Sequence, residues 1–102
     1  MNDGPICMTA RLRAAPDAAD ALRLRLLRLL APTRAEAGCT WFQVCVNERD
    51  PRDFVVLAEW SSKRAYEKRM EQDYMKEYMA ELPDLVEGEW GWDVFVPLMS
   101  KP

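Results

Sequence analysis

The stretch Leu57-Ala58-Glu59-Trp60-Ser61-Ser62-Lys63-Arg64-Ala65-Tyr66 decides the fold, because within it an apolar strand turns directly into a helix. Phe54 to Ala58 is an unbroken apolar run, the pattern of a strand buried on both faces. Glu59 and Trp60 place a carboxylate and an indole at its end. Ser61 or Ser62 supplies a hydroxyl to cap the following helix, whose first turns carry Tyr66.

Upstream of that strand, Asn47-Glu48-Arg49-Asp50-Pro51-Arg52-Asp53 reads as a polar turn with a proline stop. Cys39 to Asn47 is then the first arm of a hairpin whose second arm is Phe54 to Trp60. Still earlier, Ile6 to Arg13 alternates, with Ile6, Met8, Ala10 and Leu12 on one face and Cys7, Thr9, Arg11 and Arg13 on the other. Pro16 and Asp17 suit the start of a helix, whose buried stripe is Leu22, Leu26, Leu29 and Leu30. Pro32 should end or kink it, leaving Thr33 to Ala37 as a final turn stopped by Gly38.

Downstream, a second helix is expected from about Ser62 to Glu81, with a possible break near Asp73, before Pro83. A last strand is expected from Trp90 to Leu98, with Trp90, Trp92, Val94, Val96 and Leu98 on one face. The order β-α-β-β-α-β predicts a single α+β domain over residues 1–102. Its arrangement is ferredoxin-like: a four-stranded antiparallel sheet with both helices on one face. Trp41, Gln43 and Cys45 lie opposite Phe42, Val44 and Val46, so the second strand is largely apolar on both sides. Two helices cover only one side, and a second copy of the chain is the simplest cover for the other, which predicts a homodimer.

Composition narrows the function. The 102 residues carry a formal charge of −3, and the pI is near 5.0, which argues against nucleic acid as a partner. Arg23, Arg25 and Arg28 fall at helical spacing and read as the solvated side of a helix. Histidine is absent, which removes the commonest metal ligand, general base and haem ligand together. Cys7, Cys39 and Cys45 match no zinc or redox spacing and are expected as buried, inert thiols. No segment has the run of apolar residues that crosses a bilayer, and Met1-Asn2-Asp3-Gly4-Pro5 is not a basic, apolar leader, so a cytoplasmic protein with no membrane partner is expected.

Two blocks, Thr33-Arg34-Ala35-Glu36-x-Gly38 and Glu59-Trp60-x-Ser62-x-x-Ala65, together resemble the antibiotic biosynthesis monooxygenase family, and the resemblance runs from Ile6 to about Val96. It implies a dimeric α+β barrel. In some members a pocket between sheet and helices oxidises polycyclic phenols with molecular oxygen and neither metal nor flavin. The resemblance therefore implies a cofactor-independent monooxygenase acting on an aromatic or quinol-like small molecule. Trp60 and Tyr66 match positions that are tryptophan and tyrosine in the aromatic-polyketide oxygenases, and are the catalytic candidates. The alternative is that both are core aromatics.

Arg34, Arg69, Tyr74 and Glu59 are the substrate-binding candidates, the arginines for a substrate anion. For Arg34 the alternative is an ion pair with Glu36 or Glu59, and for Arg69 a pair with Asp73. Where those oxygenases carry an asparagine on the third strand, this chain has Val56. Where many similar sequences carry histidines, it has Arg69 and Tyr74, and an arginine favours an anionic ligand without shuttling protons at neutral pH. Tyr66, Met70, Tyr74 and Tyr78 step by four along the second helix and, with Met75 and Met79, form either a soft pocket wall or plain core. The rival functions are an isomerase or quinol-handling enzyme on the same fold, and a ligand-binding dimer without turnover.

Overall fold

The structure, a computed structural model, describes residues 4–98. Met1, Asn2 and Asp3 of the expected non-leader terminus lie outside the described residues. Four strands form one antiparallel sheet: β1 (Ile6–Arg13), β2 (Cys39–Asn47), β3 (Asp50–Trp60) and β4 (Gly91–Phe95), in the order β2-β3-β1-β4. The helical segments are α1 (Ala19–Leu27), α2 (Leu30–Arg34), α3 (Lys63–Met70) and α4 (Asp73–Glu81), followed by a 3-10 turn at Leu82–Asp84. The expected ferredoxin-like α+β arrangement is present. Among the described residues no helix is long and apolar enough to cross a membrane.

Strand register sorts the side chains. Met8 pairs with Ala58 and Leu12 with Phe54, while Phe42 pairs with Ala58, so these residues share one face. That face is buried against Leu22, Leu26 and Leu29 of the first helical layer and Met75, Tyr78 and Leu82 of the second. The opposite face carries Cys7, Thr9, Trp41, Gln43, Val55, Leu57, Glu59 and Phe95. Trp41 and Phe95 are 50% and 52% exposed there. It is a mixed surface, because Gln43, Glu59 and the Arg11–Asp53 ion pair (2.7 Å) interrupt its apolar residues.

The elements depart from the expected ones at identifiable prolines. Pro16 and Asp17 form a turn, closed by the Ala18 N–H on the Ala15 carbonyl at 2.9 Å, and α1 starts only at Ala19. The first helix breaks at Arg28–Leu29, one turn before Pro32, which sits inside the first turn of α2. A proline ring clashes with the carbonyl four residues back, here that of Arg28, so the break falls upstream of the proline. Pro51 lies inside β3, and the hairpin turn is only Glu48-Arg49. A register shift between Val46 and Asn47 leaves Pro51 beyond the regular ladder, where its missing N–H removes no bond.

The second helix does break near Asp73, at Glu71–Gln72. β4 is shorter than expected, ends at Phe95 and is exposed along its whole length, with Trp92 and Val94 on the helix-side face. Of the three clustered arginines, Arg23 and Arg28 are exposed as expected, but Arg25 is buried. Its Nε lies 2.8 Å from Glu81 Oε1 and its guanidinium 5.5 Å from the Tyr78 ring centre, tying α1 to α4.

The two sequence blocks meet at Gly38. The Ser61 N–H donates to the Gly38 carbonyl at 2.8 Å, and the Ser62 hydroxyl caps α3 by accepting the Ala65 N–H at 3.0 Å. A Cβ at residue 38 would run into the Ala65 Cβ, so glycine here is a requirement of close approach. Gly38→Ala is expected to cost about 1–3 kcal/mol of stability in urea denaturation, the usual cost of overpacking. Adding Ala65→Gly should recover part of the loss, whereas an unchanged midpoint in Gly38→Ala would place the two segments further apart.

Candidate functional site

A small cavity that encloses about 30 Å³ and opens to solvent lies between the helix-side face of the sheet and α3–α4. The sheet contributes Met8, Ala10, Leu12 and Val56, which alternation along β1 and β3 points toward the helices. Tyr66, Arg69 and Met70 come from α3, and Met75, Tyr78 and Met79 from α4. Each trio sits at i, i+3, i+4, and so on one helical face. Trp90 and the exposed Trp92 stand on the β4 side.

Trp60 is fully buried at the end of β3, its ring edge-on to Tyr66 at 6.4 Å and 67°. The Arg69 guanidinium lies over two rings at once, 5.0 Å from the Phe42 centre and 5.6 Å from that of Trp60. Its Nη2 donates to the Thr33 hydroxyl at 3.4 Å, while its Nε is buried without a hydrogen-bond partner. Arg69 is only 2% exposed, and among the described residues no carboxylate lies within 4 Å of it. The expected alternative pair with Asp73 is therefore not formed.

Electrostatic compensation for this cation is partial. A desolvated cation–π contact is worth about 2 kcal/mol, and the negative end of α3, in whose last turn Arg69 sits, adds about 0.3–1 kcal/mol. Removing an ion from water costs several kcal/mol even after relaxation. The balance leaves room for an anion.

Of the six candidates only Tyr66 and Arg69 line the cavity; Trp60 packs against both from outside its wall, Tyr74 touches Arg69, and Arg34 and Glu59 lie elsewhere. Glu59 lies between Ala58 and Trp60, which face the helices, so its side chain is on the opposite sheet face with Leu57, beside Trp41 and Cys7. Arg34 is exposed and makes neither expected ion pair. Its Nε and Nη2 both donate to the Phe42 carbonyl, at 3.1 and 2.8 Å, locking α2 onto the bulged start of β2. Tyr74 is half-buried behind Arg69, and its hydroxyl donates to Glu36 Oε2 at 3.0 Å.

Burial pushes the phenols of Tyr66, Tyr74 and Tyr78 up, opposed in each by the Arg69 charge, and Tyr78 reaches about 12. At neutral pH all three are hydrogen-bond donors rather than bases. The cysteines are free and half-buried rather than fully buried. Burial raises the Cys39 thiol above its ordinary range, with Arg69 and Arg34 opposing. Among the described residues no three acidic or thiol side chains converge as metal ligands. Thr33, Trp90 and Trp92 are site residues that a residue-by-residue reading of the sequence does not single out. Thr33 carries a signal as the first residue of the Thr33-Arg34-Ala35-Glu36-x-Gly38 block, though its contact with Arg69 is visible only in the fold.

Residues 5–81 match the family model described as "Antibiotic biosynthesis monooxygenase". The chain belongs to the antibiotic biosynthesis monooxygenase family. It is 29% identical over 94 residues to a Mycobacterium tuberculosis protein named "Putative monooxygenase Rv0793", covering 92% of each chain. The solved structure of Rv0793 superposes with a TM-score of 0.90 over 97% of this chain and all of that one, at 26% identity. PA3566 of Pseudomonas aeruginosa gives 0.87 at 27% identity, over 97% and 98% of the two chains.

The raised phenols have a pH consequence of definite sign. Each holds its proton more tightly in the folded state than in the unfolded chain, whose tyrosines ionise near 10. Their contribution to stability is complete below pH 10 and lost as pH rises toward 12. Spectrophotometric titration of the folded protein should accordingly show phenolate formation delayed beyond pH 10, with unfolding accompanying the last of it. A full three-tyrosine transition centred at pH 10 without unfolding would contradict the burial of these groups.

Proposed function

We propose that this family member is a homodimeric monooxygenase that oxidises an aromatic or quinol-like small molecule with molecular oxygen, using neither metal nor flavin. The observation that carries the reading is the cavity itself, with an apolar wall of methionines and aromatics, one buried cation and the phenol of Tyr66. Methionine and tyrosine fit flat aromatic bodies of varied outline. Tyr66 donates a hydrogen bond to a substrate oxygen, and Trp60 backs that phenol and holds it in place.

The electron balance suits such a site. A methylene flanked by aromatic rings, once deprotonated, gives its electrons to oxygen and becomes a carbonyl. One oxygen atom enters the product and the other leaves as water, so no external reductant is needed. The enclosing side chains keep bulk water from the reacting anion. For the dimer, the support is the uncovered sheet face with Trp41, Leu57, Val55 and Phe95, which a second copy would bury. Free thiols at Cys7, Cys39 and Cys45 fit a reducing, cytoplasmic setting.

A ligand-binding dimer without turnover is the second reading. It is favoured by the absence of a base among the cavity's described lining residues, since its phenols remain protonated at neutral pH.

Oxygen uptake with a panel of anthrones, naphthols and quinols separates the two. The monooxygenase reading expects protein-dependent uptake that survives chelator treatment and needs no added flavin, from a species that sediments as a dimer at micromolar concentration. Tyr66→Phe should lower kcat/KM by roughly 10- to 100-fold, the worth of a hydrogen bond to a charged oxygen. Binding of the same compounds with no uptake would leave the second reading standing.

A further inference from the structure

We propose that the ligand of this cavity is an aromatic anion, bound with its carboxylate or phenolate oxygen against Arg69, which serves as its counter-charge. The inference rests on the cavity being the substrate site proposed above, and it adds the charge of the substrate to that reading.

The protein's own ion pairs provide the contrast. Arg25, at 6% exposure, has Glu81 at 2.8 Å, and the half-buried Arg52 has Glu87 at 2.7 Å. Arg69 is more buried than either and has no such partner among the described residues. Its contacts are two ring faces, the hydroxyls of Thr33 and Tyr74 and a helix end, all of them uncharged groups. The carboxylate joined to this cluster, Glu36, is held instead by the Tyr74 hydroxyl. A buried charge is normally matched by an opposite one or by a full set of hydrogen bonds, and Arg69 Nε has neither.

What is missing has to arrive through the cavity, because Arg69 forms part of its wall. The remaining wall is apolar, which selects against a small hydrated ion such as phosphate and for a flat hydrocarbon body bearing one anionic group. Arginine keeps its charge at any working pH, so the preference is fixed rather than titratable.

The test is binding in the absence of turnover. Benzoate, 2-naphthoate and anthracene-2-carboxylate are titrated calorimetrically, each beside its neutral carboxamide and under nitrogen. At least one acid should bind ~10-fold or more tightly than its amide. In Arg69→Met that acid should lose ~10- to 100-fold in affinity while the amide changes by less than about twofold. Arg69→Lys, which keeps a charge but not the guanidinium geometry, should retain part of the preference.

A control separates ligand binding from a structural role. Because Arg69 also ties α3 to the sheet through Phe42, Trp60 and Thr33, the readout is the acid-to-amide affinity ratio, with the carboxamide's unchanged binding as the control that the variant is folded. The proposal is overturned by any of three results: no acid binds, acid and amide bind alike, or both lose equally in Arg69→Met; should that variant fail to fold, an acid preference no greater in the wild type than in Arg69→Lys decides against it. Acid-selective binding without oxygen uptake would uphold the anion site and reject the monooxygenase. Uptake without acid selectivity would do the reverse.

Discussion

A guanidinium with no carboxylate beside it among the described residues, lying over the rings of Phe42 and Trp60, is the constraint around which this molecule is arranged. Arg69 ends α3, Phe42 and Trp60 belong to β2 and β3, and the hydroxyl it touches is on α2. One side chain thus joins the helical layer to the sheet. Its position depends on how closely α3 approaches the α2–β2 turn, which the missing Cβ of Gly38 permits. Both recognisable sequence blocks therefore serve one purpose: they bring the start of α3 down onto the sheet, so that its last turn delivers a cation to the cavity.

The chemistry follows from the groups that do and do not titrate there. The phenols of Tyr66 and Tyr78 in the cavity wall, and of Tyr74 outside it, are pushed up by burial and stay protonated at neutral pH. Arginine neither accepts nor releases a proton under those conditions. A cavity with such a lining can hold an anion and donate hydrogen bonds to it. It is poorly equipped to remove a proton itself, so a substrate acidic enough to enter ionised fits it better than one that needs a strong base.

Much of this was legible in the sequence, and the parts that were not have physical reasons. Alternation in Ile6 to Arg13, the leucine stripe through Leu22, Leu26 and Leu29 and the apolar run at Phe54 set the sheet and its first helical layer. Period-two counting also separates Glu59 from Trp60, since neighbours on a strand face opposite ways. Adjacent in sequence, the two residues therefore serve opposite faces of the sheet. The partner of Arg34 is the Phe42 carbonyl, and every residue carries a carbonyl, so no side-chain pattern reveals that contact. Pro51 reads as a strand stop until the register shift opposite Asn47 is known. The burial of Arg25 depends on Glu81, far along the chain, and local spacing alone puts it in solvent.

The most direct measurement of the central claim is the arginine side-chain ¹⁵N spectrum, with the Arg69 Nε–H assigned by its absence in Arg69→Met. Addition of 2-naphthoate should shift the Arg69 Nε–H resonance downfield and slow its exchange with water, as a buried donor gains an anionic acceptor. The carboxamide should move it far less. A resonance that stays in place at saturating naphthoate, or that moves equally for the neutral amide, would contradict an anion bound to Arg69.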